Sequence, residues 1–168
     1  MTTPATSLQF FSKLKWIDGK PLANYIEPYR EAIFREALDA QDEDGRPRYN
    51  LVLTGRAKKN YKSSDLCLAA LYRLLAWPSP GGNQCYLLAN DEGQAGDDLE
   101  LAVKLIRANP RLDASVTIKS KEITRKDGKG FLLVLPAQDV AGAHGKTYSF
   151  AGFDEPVEII LAVPLDFL

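Results

Sequence analysis

Apolar runs of two different periods alternate along this chain, and that alternation constrains its fold more than any other feature. Short continuous runs at 49–53 (YNLVL), 84–89 (QCYLLA), 131–135 (FLLVL) and 148–153 (YSFAGF) read as buried strands. Between them, apolar residues recur at three- and four-residue steps, the period of one helix face. Leu22, Tyr25, Ile26, Tyr29, Ile33, Phe34, Ala37 and Leu38 form one such face. Pro28 lies inside it and should end or kink a first turn, so the firm helix is predicted over 28–40. Leu66, Leu68, Ala69, Leu71, Tyr72, Leu75 and Ala76 form a second helix, mostly buried, that stops at Pro78-Ser79-Pro80-Gly81-Gly82. Leu99, Leu101, Ala102, Leu105 and Ile106 form a third, capped by Asn90-Asp91-Glu92 and stopping near Asn109-Pro110. Strands alternating with helices predict an α/β domain with a mainly parallel sheet.

The remaining segments are short. Residues 1–9 are polar and read as a frayed end, and 41–48 (QDEDGRPR) as a loop. Residues 115–118 and 122–125 read as short strands, followed by a hairpin turn at Lys126-Asp127-Gly128-Lys129-Gly130. The 168 residues make about one domain. Lys plus Arg is 21 and Asp plus Glu is 22, a net charge of -1, which excludes a strongly basic nucleic-acid binder and a polyacidic disordered chain. A nucleic-acid contact would need a local patch. Lys119, Lys121, Arg125, Lys126 and Lys129 around the hairpin offer one, or are simply a solvated face. Cys67 and Cys85 are too few for a disulfide framework and read as buried thiols, and the one histidine, His144, excludes a multi-histidine metal site. No secretory signal and no membrane span is expected.

Two segments carry chemistry. The predicted strand at 49–53 runs into Thr54-Gly55-Arg56-Ala57-Lys58-Lys59-Asn60-Tyr61-Lys62-Ser63-Ser64, and a helix follows at once. A phosphate-binding loop needs this order: backbone N–H groups at a helix start, a Lys for the β/γ-phosphates and a hydroxyl beside it for Mg²⁺. The glycines of G-x-x-x-x-G-K-[ST] are displaced. Tyr61 and Arg56 hold their two places, and Gly55 comes one residue early. A solvated basic loop before a helix is the other reading of this segment. The second segment is the strand at 148–153 running into Asp154-Glu155, a Walker B pattern in which Asp154 would serve Mg²⁺ and Glu155 would activate water. Alternatively, Asp-Glu-Pro is a turn leaving a strand.

With these segments placed, the chain resembles the N-terminal ATPase domain of bacteriophage terminase large subunits from about Phe10 to Glu155. Arg56-Ala57-Lys58-Lys59-Asn60-Tyr61-Lys62-Ser63 is similar to that family's degenerate phosphate loops of the type R-K-N-G-K-S. Tyr86-Leu87-Leu88-Ala89-Asn90-Asp91 with Gln94-Ala95 resembles its strand-then-QA segment, and Gly142-Ala143-His144-Gly145 and Phe153-Asp154-Glu155 its H-G and D-E elements. Glu27-Pro28-Tyr29-Arg30 falls at its adenine-side P-[WY]-Q element, with Arg30 replacing Gln.

The resemblance implies a three-layer αβα P-loop NTPase of the ASCE type, and ATP and Mg²⁺ as cofactors. It implies Glu155, Lys62 and Arg56 as catalytic residues, and Ser63 and Asp154 as metal ligands. The nucleotide would be held by Lys58, Lys59, Asn60, Tyr61, Lys62, Ser63, Ser64 and Tyr29. Arg56 or Lys58 would face the γ-phosphate, or be a solvated base; Tyr29 would pack near adenine, or in a helix core. His144 would sense the nucleotide or DNA state, or be an ordinary loop residue. Implied partners are double-stranded DNA, the portal protein and the terminase small subunit, in a ring of subunits in the bacterial cytoplasm.

The chain is expected to be a single truncated domain over 1–168, with an N-terminal extension at 1–20 and an atypical tail at 156–168. The family's nuclease domain and the strand that follows Walker B are expected to be absent from it. Residues 157–163 are therefore expected to fold back antiparallel to 148–153, filling the place of that strand. DNA cleavage is not expected. The implied function is ATP-driven DNA packaging, or a non-catalytic remnant that at most binds nucleotide.

Overall fold

A computed structural model describes residues 5–136 and 148–154. His144, Glu155 and the proposed pairing of residues 157–163 lie outside the described residues.

The amino-terminal segment is more ordered than its polarity predicts. Helix α1 (Ser7–Phe11) opens with a reciprocal cap. The Gln9 N–H donates to Thr6 Oγ1 at 3.2 Å, and the Thr6 N–H donates to Gln9 Oε1 at 3.0 Å. The helix then buries Phe11 against Phe34, ring centroids 4.8 Å apart. A 3₁₀ turn (Leu22–Tyr25) precedes α2 (Pro28–Phe34), which starts on its proline, since an N–H at that position would have no partner in the helix. The predicted helix over 28–40 continues as one wider π turn (Arg35–Asp39).

Helix α3 (Lys62–Leu75) begins one turn before its apolar pattern does. Strand β1 (Asn83–Ala89) leads to α4 (Glu92–Arg107), where Asp91 Oδ1 caps the Gln94 N–H at 2.8 Å. Pro110 starts a short helix, α5 (Pro110–Ser115), rather than ending structure. Strands β2 (Val116–Ile118), β3 (Glu122–Arg125), β4 (Gly130–Pro136) and β5 (Phe150–Asp154) complete the described chain.

The five strands lie in the order β2-β3-β4-β1-β5. β1 is parallel to β4 and to β5, and β3 pairs antiparallel with β2 and β4, so β3 alone runs against the rest. The mixed α/β class and the predominant strand direction agree with the sequence reading. Register puts Cys85 beside Leu132 and Phe150, Leu87 beside Val134 and Gly152, and Ala89 beside Pro136 and Asp154. This row is the face on which α3 and α4 pack, and the two helices also touch each other. A Cβ at Gly152 would sit 2.6 Å from Leu66 Cδ1, so a glycine is what lets α3 lie this close to β5. Asp154, two residues beyond Gly152, shares its face and is aimed at α3. The second helical layer that a three-layer arrangement requires is not found among the described residues.

One predicted strand does not form. Residues 51–57 have no regular structure, and Leu51, Val52 and Leu53 are 51%, 43% and 78% exposed. A strand needs a neighbour to satisfy its backbone and a face to bury. Among the described residues no strand lies beside this segment, and β5 pairs with β1 alone. No helix among the described residues is long and apolar enough to cross a membrane.

Candidate functional site

The two segments singled out in the sequence meet. Ser63 Oγ donates to Asp154 Oδ2 at 2.5 Å, closing a separation of 91 residues. Lys62, half-buried, is the first residue of α3, with Ser63 and Ser64 in the same first turn. The N–H groups of such a turn have no acceptor within the helix, and the helix dipole is positive there. Asp154, buried at the C-terminal end of a parallel strand, stands beside them. Clefts at these strand ends are where open α/β sheets take ligands.

Asp98 on α4 is a third member that the sequence reading missed. It is 4% exposed, and its Oδ2 has no hydrogen-bond partner among the described residues. Burial, then the negative charges of Asp154 and Asp97, push its pKa up to about 7. Cys67 Sγ donates to the Asp98 carbonyl at 3.5 Å, and burial holds this thiol well above its ordinary range. A sequence signal for Asp98 existed: it sits on the apolar stripe of α4 with Ala95, Ala102 and Leu105, all buried.

The loop before α3 is held from inside. Lys58, Lys59 and Asn60 are exposed, and Lys59 and Tyr61 have positive φ, 66° and 57°. Arg56 Nη1 donates to the Asn60 carbonyl at 3.2 Å and to Asp65 Oδ2 at 2.5 Å, tying the loop's start to its end and to α3. The structure thus places Arg56 in an ion pair behind the loop. Its guanidinium lies 6.0 Å from the ring centroid of Tyr29, which is 45% exposed and so belongs to the loop's surroundings rather than to a helix core. Arg30 is fully buried beneath Tyr61 and bound to Asp65 and Glu27. Burial alone would lower its pKa, but Asp65 and Glu27 outweigh burial and raise it. Asp65 and Arg30 were legible in principle, as charges on the buried faces of α3 and α2.

The hairpin cations are largely engaged with protein. Lys119 pairs with Glu122 at 3.5 Å, Lys121 with Glu92 at 3.8 Å and Arg125 with Asp127 at 2.5 Å, while Lys126 donates to the Ala114 carbonyl. A depression of about 570 Å³ between Ile17, Asp18, Lys104, Arg107 and Ala108 contains none of the site's side chains.

No family model and no curated protein matches the chain. Its fold is similar to the crystal structure of the HK97 bacteriophage large terminase, with a TM-score of 0.67 and 22% identity. The fold is terminase-like. The likeness covers 88% of this chain and 29% of that one, so this chain spans under a third of the terminase's length.

Proposed function

We propose that this chain binds a magnesium nucleoside triphosphate at the first turn of α3 and that it derives from the ATP-hydrolysing part of a phage DNA-packaging motor. The observation that carries the reading is the contact between Ser63 and Asp154 at the positive end of a helix. A hydroxyl and a carboxylate oxygen are the hard donors Mg²⁺ takes, so the residues present fit the ion. Bound there, Mg²⁺ would supply charge neutralisation to the terminal phosphates. Lys62 would meet the β/γ-phosphates, and the loop N–H groups would cradle them. Glu155, next to Asp154 in sequence, would orient and deprotonate the attacking water. Coupling to double-stranded DNA, a portal, a small subunit and a ring of like subunits follows from the family resemblance.

A second reading, nucleotide binding without turnover, is favoured by the ion pair that holds Arg56 on Asp65, behind the loop. Calorimetry with Mg-ATP tests both. The parent chain should bind, and Lys62→Ala should bind at least tenfold more weakly, since a charge-assisted phosphate contact is worth roughly 1.5–3 kcal/mol. Equal heats for the two proteins would end the nucleotide reading. Phosphate release by the parent and not by Lys62→Ala separates turnover from binding alone.

A further inference from the structure

Tyr61 is unusual twice over. It stands where a phosphate loop ordinarily has glycine, and its backbone lies at φ 57°, ψ 21°, a region disfavoured for a bulky L-residue. Its neighbours account for how it stays there. The Arg30 guanidinium lies 4.4 Å from the centroid of the Tyr61 ring. Arg30 is itself immobilised in its own plane. Nε donates to Asp65 Oδ1 and Oδ2 at 3.0 and 3.2 Å, Nη1 to Glu27 Oε2 at 3.1 Å and to the Tyr25 carbonyl, and Nη2 to Asp65. A guanidinium bound around its rim offers its flat face to an aromatic ring. Asp65 also holds Arg56, so one carboxylate anchors both the platform under Tyr61 and the start of the loop.

We propose that Arg30 is a positioning residue of the anion-binding loop. It stacks under Tyr61 and holds it in the left-handed conformation that glycine adopts unaided, which aims the first turn of α3 at its ligand. The ligand half of this inference rests on the nucleotide reading; the hold on the loop does not.

The test is a double-mutant cycle on the full chain. Arg30→Lys keeps a cation for Asp65 and Glu27 but loses the flat face. Tyr61→Gly removes the need for a platform. Mg-ATP affinity is read by calorimetry, and urea midpoints are read without nucleotide. In the parent background Arg30→Lys should weaken Mg-ATP binding about tenfold. In the Tyr61→Gly background it should change binding less than twofold, and the urea midpoint should fall less there than in the parent background, where the loss of the stack adds to the loss of the Asp65 and Tyr25 bonds. Equal losses in both backgrounds overturn the proposal, because Arg30 would then act through Asp65 alone. If none of the four proteins binds Mg-ATP, the nucleotide reading fails, and the urea midpoints decide the hold on the loop: coupled midpoints support it, additive ones overturn it. Should Arg30→Lys not fold, Tyr61→Leu takes its place, keeping the bulk without the ring. Affinity and midpoint both below those of Tyr61→Gly support the proposal, and values equal to them overturn it.

Discussion

A carboxyl sealed under a second carboxyl is costly to ionise, and Asp98 is in that position. Its ordinary value of 3.8 is pushed up to about 7 by burial and by Asp154 and Asp97. The other titratable neighbour, the Cys67 thiol, stays neutral over the same range. Below about pH 4, folded and unfolded chains both hold the Asp98 proton. As pH rises toward 7 the unfolded chain loses that proton and the folded chain keeps it, so stability falls; above 7 the penalty is constant. Urea unfolding of the metal-free chain from pH 4 to 8 should show this decline. Asp98→Asn should flatten it and be the more stable protein at pH 8, by up to about 4 kcal/mol at the 1.36 kcal/mol that each pH unit represents. Parallel pH profiles for the two proteins would show that Asp98 ionises freely. In the sequence this residue is hard to single out, because an Asp beside Asp97 and near Glu100 on a helix looks solvated until its stripe is drawn. Lys62, Ser63 and Asp154 stand out as candidates in the sequence because each belongs to a local pattern, and the structure brings Ser63 and Asp154 into contact.

At the scale of elements, most helices and strands were readable because their periods are local. The exception at 49–53 is instructive: its apolar content announces burial, but a strand is made by its neighbour, and no sequence window contains the neighbour. The close seat of α3 on β5 was equally unreadable, since it depends on Gly152 meeting Leu66 and Leu87 from distant parts of the chain. A Cβ there would lie 2.6 Å from Leu66 Cδ1 and 3.0 Å from Leu87 Cδ2. Gly152→Val should therefore cost about 1–3 kcal/mol of stability in thermal or urea unfolding. It should also weaken Mg-ATP binding, because Asp154 is carried two residues further along the same strand face. Wild-type stability in this variant would mean that the Leu66 and Leu87 side chains give way at no cost.

Across the whole molecule, the sheet brings together two chain segments that have no other reason to meet. β5 lies beside β1, α3 lies over both, and the result is one hydroxyl–carboxylate contact between residues 91 apart. If that contact is where Mg²⁺ enters, Ser63 and Asp154 act as one unit, and their effects will not add. Ser63→Ala and Asp154→Asn should each lower Mg²⁺-dependent nucleotide affinity, by about ten- to hundredfold if loss of an oxygen ligand is at least as severe as loss of a supporting contact. The double variant should be little worse than the weaker-binding single one. Chelating Mg²⁺ with EDTA should bring the parent chain down to the level of the variants and leave the variants nearly unchanged, which calorimetry with and without the ion reads directly. On the nucleotide reading Lys62→Ala should behave differently, losing affinity with and without Mg²⁺, because the Lys62 ammonium would meet phosphate rather than metal. A Ser63→Ala protein that still gained as much affinity from Mg²⁺ as the parent would show that the metal is held elsewhere, and that the contact with Asp154 only fastens α3 to the sheet.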